Sequence, residues 1–352
     1  MKTLLLLTSL LKLLHQVTPG CILHTYIDSR SSIDCDNLFD NFENIKPLKS
    51  ELVVTVNITQ SNITKISSGS FDDFRQLRKI SLSGNVIEEI EFGAFSAETF
   101  RTQLPFLRIL DLSENNIETL PKEIFNHSST LELNLSSNAL KQIEHGAFLN
   151  MHGLKKLDLS YNLISSDDEE NVLPLGIFQD ISTLEKLNLS HNSLKSIKIG
   201  TFSLLPYLFH LDLSHNELTH LTSGVFVGTV IQDLFINDNK LVVFEFPNAR
   251  NVHPTINLAN NDFECDSLAM TMSKIHNAFF TRGEIINEPN IFGISCRDNN
   301  EIDEDEEEED NKDFLYDLAM MKYLSIGTLC VSLILMCYLV FCQKNNHDDE
   351  CN

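Results

Sequence analysis

The sequence predicts an α/β repeat solenoid, each unit adding one parallel strand to a concave sheet and a loop or short helix to the convex side. Three observations predict it. Leu154-Lys-Lys-Leu157-Asp-Leu159-Ser-Tyr-Asn162-Leu-Ile164 reads L-x-x-L-x-L-x-x-N-x-L, and versions of it recur along most of the 352 residues. Its asparagine returns at Asn85, Asn115, Asn138, Asn162, Asn192, Asn216, Asn239 and Asn261, with Ser61 in that place one unit earlier. Phe71, Phe95, Phe125, Phe148, Phe178, Phe202 and Phe226 recur in the same phase, most of them after Gly-x as in Gly93-Ala-Phe95. Chains with a fixed period of this length stack, each unit burying its apolar edge against the next.

Each recurring position has a physical reason. In Leu157-Asp-Leu159 the alternation turns the leucines inward and Asp158 outward, the period of a strand. The chain must then turn inside the stack, where water cannot reach its amides and carbonyls. A buried Asn both donates and accepts, so it can satisfy them. The Phe column fills the wider convex side of a chain with 23 Phe and no Trp. Two steps of the asparagine ladder are stretched, by insertions around Ala97–Thr102 and Ser165–Asn171. Nine strands at about 4.8 Å spacing make an arc roughly 40 Å long.

This pattern resembles the leucine-rich repeat family, of the typical 24-residue type, and the resemblance runs from Cys21 to Cys296. It implies a horseshoe with a parallel sheet on its concave face. Members with extracellular repeats close their exposed ends with cysteine-containing caps, so the resemblance implies disulfides Cys21–Cys35 and Cys265–Cys296. Asn261-Asp-Phe263-Glu-Cys265-Asp266 is similar to the entry of the family's C-terminal cap, except that Ser267 stands where a second cysteine is common. The caps are therefore reduced ones. Neither pair has the C-x-x-C spacing of redox or zinc sites.

The domain plan follows in chain order. Residues 1–20 read as a secretory signal: Met1-Lys2, the apolar run Leu4–Leu14, then Thr18-Pro-Gly20. Residues 21–50 form the N-terminal cap, 51–262 about nine repeats and 263–297 the C-terminal cap. Residues 298–321 form an acidic, disordered stalk, since Asp298–Asp313 holds eleven acids and one Lys. Residues 322–342 form a transmembrane helix, Tyr323–Cys342 being free of formal charge. Residues 343–352 are a short cytoplasmic tail. The expectation is a single-pass type I plasma-membrane protein with its N-terminus outside and no signalling domain of its own. In such a chain the N-x-[ST] sequons at Asn57, Asn62, Asn126, Asn134 and Asn188 are expected glycan acceptors.

Composition narrows the chemistry. A net charge of −24 disfavours nucleic acid and favours basic partners. No H-E-x-x-H, G-x-S-x-G, P-loop or dinucleotide glycine motif occurs. No enzyme, cofactor or metal site is expected. The concave face carries Arg78-Lys79, Lys155-Lys156 and Lys186 on one side and Glu114, Tyr161, His191, His215 and Asp238 on the other. His191 and His215 precede ladder asparagines, which places them on neighbouring strands about 5 Å apart, as two solvated side chains. Phe209 and Phe235 are expected to project outward beside them. Exposed aromatics among charges are a common interface composition, so the partner is expected across Tyr161, His191, Phe209, His215 and Phe235.

The expected function is recognition of an extracellular or cell-surface protein, another copy of the chain included. It would serve in adhesion or guidance, or as a co-receptor beside a signalling subunit. Two alternatives stand: an innate-immune pattern-recognition receptor or decoy, and a shed regulator of matrix or growth-factor signalling.

Overall fold

The computed structural model describes residues 15–18, 21–26, 30–36, 52–72, 74–95, 104–165, 173–174, 176–247, 253–275, 278–281, 289–291 and 293–297. The acidic stalk, the expected transmembrane helix and tail, nearly all of both insertions and most of the signal segment lie outside them. Among the described residues no helix is long and apolar enough to cross a membrane.

The strand of each repeat is short because only the L-x-L core of the motif is extended. Lys156–Asp158 pairs with Glu132–Asn134 on one side and Lys186–Asn188 on the other, Leu133, Leu157 and Leu187 in register. The same parallel register continues without slippage from Thr55-Val-Asn57 to Thr255–Asn257. A slip of one residue would turn every central leucine to solvent, which is why the register holds. All of these central residues are buried.

The sheet is longer than the repeats. Among the described residues it has 13 strands, because both caps join it. At the N-terminal end Cys21–Thr25 and Ser31–Asp36 form an antiparallel hairpin whose second strand runs parallel to Val53–Thr59. Cys21 lies directly opposite Cys35, and the two are bonded. His15–Thr18, inside the expected signal segment, pairs outside that hairpin. At the other end Phe279–Thr281 pairs with Thr255–Asn257, and the helix Cys265–Lys274 packs Leu268 into the end of the core. Cys265 is bonded to Cys296. The implied pairings are both present.

The asparagine ladder works as its chemistry requires. Asn162 Oδ1 accepts the Leu140 N–H at 3.0 Å, and its Nδ2 donates to the carbonyls of Leu135 and Leu159. The ladder residues from Asn85 to Asn261 repeat this pattern, each tying its own turn to the previous coil. Opposite them the seven phenylalanines are fully buried. Successive rings from Phe71 to Phe202 stack at 5.8 to 6.5 Å between centroids. Five of the six glycines of the Gly-x-Phe motif, Gly69, Gly93, Gly146, Gly176 and Gly200, have positive φ, Gly224 lies instead in the 3₁₀ turn Ser223–Phe226, and Glu123 takes φ 65° where the motif lacks a glycine.

One expectation needs correction. The α component is slight: the helical pieces of the repeats are 3₁₀ turns, such as Gln179–Ile181 and Ser223–Phe226. Two-residue parallel ladders such as Thr119–Leu120 with Gln142–Ile143 take their place at the bend. The described coils are those of a β-solenoid, with short parallel ladders beside the main sheet.

Candidate partner-binding face

The outward residues of each concave strand form columns across the sheet. One column runs Lys156, Lys186, His210, Asp233; the next runs Asp158, Asn188, Asp212, Phe235. In the second column the polar residue also shapes the turn. Asp158 Oδ1 accepts the Ser160 N–H at 3.0 Å, and Asp111 and Asp212 do the same two residues on. Asn134 and Asn188 replace them with the same bond to Ser136 and Ser190. These carboxamides use their oxygen in the turn, and Asn188 Nδ2, the atom a glycan would occupy, donates to Asp158 Oδ2 at 3.4 Å.

The third column is unusual in its backbone. Glu114, Ser137, Tyr161, His191, His215, Asp238 and Asn260 all have φ between 53° and 56°. Left-handed geometry costs a non-glycine residue roughly 1–2 kcal/mol. The ladder imposes it: the N–H of Tyr161, His191 and His215 donates to Ser190, Ser214 and Asn237 of the next coil at 3.0 Å. Identical backbones one coil apart point their side chains in parallel, so planar rings stack. Tyr161 lies on His191 with centroids 3.9 Å apart and planes 10° from parallel; His191 lies on His215 at 4.0 Å and 12°. The stack ends on a carboxylate: His215 Nε2 is 3.4 Å from Asp238 Oδ2, and Asn260 Nδ2 donates to Asp238 Oδ1 at 2.7 Å.

Electrostatics follow from this packing. Burial and the facing His215 ring disfavour the charged form of His191, and Asp212 and Asp238 oppose them only partly, so its pKa lies below 6.5. Burial works against ionised Asp238, but hydrogen bonds from Asn260 and Asn237 and the two imidazoles outweigh it, and its pKa is lowered. The basic residues are largely committed. Lys155 pairs with Glu185 at 2.6 Å, Lys156 with Glu132 at 2.7 Å, and Lys186 Nζ sits 5.9 Å above the Phe209 ring. A shallow groove of about 370 Å³ runs along this paired stretch, from Lys79 to His210. Among the described residues no group of three or more His, Cys, Asp or Glu is placed to hold a metal ion.

Comparison with known proteins places the chain. The family model described as "Leucine rich repeat" matches residues 105–164, 128–176 and 182–241. Lumican of Oryctolagus cuniculus is 35% identical over 155 residues, which cover 44% of this chain and 73% of lumican. The chain belongs to the extracellular leucine-rich repeat family. Mimecan of Gallus gallus is 30% identical over 184 residues, 52% of this chain and 55% of mimecan, so the chain spans about half the length of that relative. Among solved structures the TLR13–ssRNA13 complex superposes with a TM-score of 0.51 at 27% identity, over 59% of this chain and 29% of that one.

On this leucine-rich repeat scaffold the expected contact residues separate into two groups. Tyr161, His191 and His215 form one continuous stack, with Tyr161 55% exposed. The histidines are not two independently solvated side chains; their rings are in face-to-face contact at 4.0 Å. Phe209 and Phe235 are half-buried, covered in part by Lys186 and by the tilted His210 ring at 5.4 Å. Asn126 is the clear departure among the sequons. It is 2% exposed and accepts a hydrogen bond from Asn150 Nδ2. Asn62 is exposed, and Asn57, Asn134 and Asn188 are half-buried on the concave strands. The left-handed column is what sequence reasoning missed. Its signal was a run of unlike residues, Glu, Ser, Tyr, His, His, Asp and Asn, each immediately before a ladder asparagine.

Proposed function

We propose that the chain is a recognition protein rather than a catalyst, and that it binds protein partners through the C-terminal half of its concave face. The observation that carries the reading is the Tyr161–His191–His215–Asp238 stack beside Phe209 and Phe235. Rings held in place before contact lose little conformational entropy on binding, and aromatic anchors dominate the energy of many interfaces. A ligand like the single-stranded RNA named in the TLR13 complex is disfavoured. Its phosphates would meet Asp111, Asp158 and Asp212, while Lys155 and Lys156 are already neutralised by Glu185 and Glu132.

We further propose that residues 1–20 direct secretion and that 322–342 anchor the chain at the plasma membrane. The protein would then act in adhesion or as a co-receptor. A screen of the tagged chain against cell-surface ectodomains, itself included, tests the reading. A saturable hit weakened at least about tenfold by Tyr161→Ala or by Phe209→Ala with Phe235→Ala is expected, a hot-spot loss. A hit that none of these changes alters would place the contact elsewhere. Partition of the chain into the detergent phase would support the anchor, and full release into the medium would sink it.

A further inference from the structure

The stack has one closed end and one open end. One face of the Tyr161 ring is covered by His191; the other looks toward the preceding coil. There the equivalent position is Ser137, exposed and too small to cover a ring, and one coil further is Glu114, also exposed. All three share the same left-handed backbone, with φ of 54°, 54° and 53°. They are joined by consecutive ladder bonds, Glu114 N to Ser136 O and Ser137 N to Ser160 O, at 3.0 and 2.9 Å. Adjacent coils are about 4.8 Å apart, so removing one side chain from this column leaves a gap about one planar group thick. The gap has the Tyr161 ring on one side and the coil that carries Glu114 on the other. Glu114 leans over Gly84, its Oε2 3.8 Å from where a Cβ would stand, and no described cation pairs with it. To face Ser137 the carboxylate would have to turn about its side-chain bonds, away from Gly84.

We propose that this gap is a slot for an arginine side chain of a basic partner, an inference that rests on the concave face being the binding surface. A guanidinium is planar, stacks on an aromatic face and pairs with a carboxylate in the same geometry. It would lie against Tyr161 as His191 does on the other side, with Glu114 completing its charge. Lysine lacks the plane and cannot complete the stack. A purely apolar ring would leave Glu114 unpaired. The flanking Asp158 carboxylate and the overall charge of −24 favour the same kind of partner.

The test is calorimetric titration of the purified full chain with a Gly-Arg-Gly-Arg-Gly peptide, its lysine counterpart and a single-stranded oligouridylate. The arginine peptide is expected to bind at least about 2-fold more tightly than the lysine peptide, since both place a cation over the ring but only the guanidinium stacks flat and pairs with a carboxylate. Tyr161→Ala should remove that preference, and Glu114→Gln should weaken binding of the arginine peptide. Ser137→Phe should block the slot while leaving the melting temperature near the parent value, since the column already accepts rings on the same backbone. The same titration on Asn134→Gln shows whether a sugar on the neighbouring sequon covers the slot. Equal binding of both peptides to parent and Asn134→Gln chains, unchanged binding by Ser137→Phe, or binding of the oligouridylate alone would overturn the proposal. Failure of the wider reading looks different. A protein partner lost on Phe209→Ala with Phe235→Ala but retained by Tyr161→Ala and Ser137→Phe sinks the slot alone. A partner indifferent to all four sinks both.

Discussion

Replacing Asn192 by Ala removes one link of the ladder from the middle of the solenoid, and the structure sets the size of the loss. Asn192 is buried. Its Oδ1 is the acceptor for the Ile164 N–H at 3.1 Å, and its Nδ2 donates to the carbonyls of Leu159, Leu189 and Ser190. The carbonyls have a second donor nearby, since Asn162 Nδ2 also reaches Leu159 O and Asn216 Nδ2 also reaches Leu189 O. The Ile164 amide has none. An orphaned buried donor costs about 1–3 kcal/mol, and each further bond lost contributes about 0.5–1.5 kcal/mol net. The expected destabilisation is about 4 kcal/mol. Asn261 makes comparable bonds at a half-buried end of the ladder, so water can replace them, and Asn261→Ala should cost less than half as much. Urea denaturation followed by circular dichroism would show the difference as a shift in midpoint at constant slope. Hydrogen exchange should show the Ile164 amide losing protection first. A loss below about 1 kcal/mol at Asn192, or equal losses at both positions, would refute the view that these side chains replace water inside the turn.

Other outcomes follow from particular contacts. Phe148, stacked between Phe125 and Phe178, should cost about 3–5 kcal/mol on truncation to Ala, read from the same denaturation curve. His191 should titrate below 6.5 by NMR, and His215→Gln should bring it back up, because it removes a facing imidazole. Since the folded pKa lies below the unfolded one, the unfolded chain binds more protons in that window. His191's contribution to stability is then complete above pH 6.5 and declines as pH falls through the interval below it; a rise in stability on acidification through that interval in the parent, absent in His191→Gln, would contradict the assignment. Opening Cys265–Cys296 by paired Ser substitution should cost about 4 kcal/mol for its 31-residue separation, against about 3 for the 14 of Cys21–Cys35. Glycopeptide mapping should find Asn62 occupied and Asn126 bare; a sugar on Asn126 would mean that the convex turn opens.

The asparagine and phenylalanine ladders, the strand register and the two cap disulfides were legible in the sequence. The ladders and the register come from demands that recur once per coil, since a buried turn must be hydrogen-bonded and a wide convex side must be filled, while the disulfides at the two ends were implied by the family resemblance. Such demands admit few residue types, so they appear as a period. The concave columns obey no such demand, because solvent accepts almost any side chain there. Their identities could be read, but their arrangement could not. That Tyr161, His191 and His215 stack as one body, with a gap at Ser137, depends on a left-handed backbone repeated in register, and this arises only when each amide finds its carbonyl on the next coil. The same holds for Asn126, whose sequon is intact but whose side chain the neighbouring coil buries. Periodicity determined what lies inside the solenoid; contact between coils decided what its surface offers.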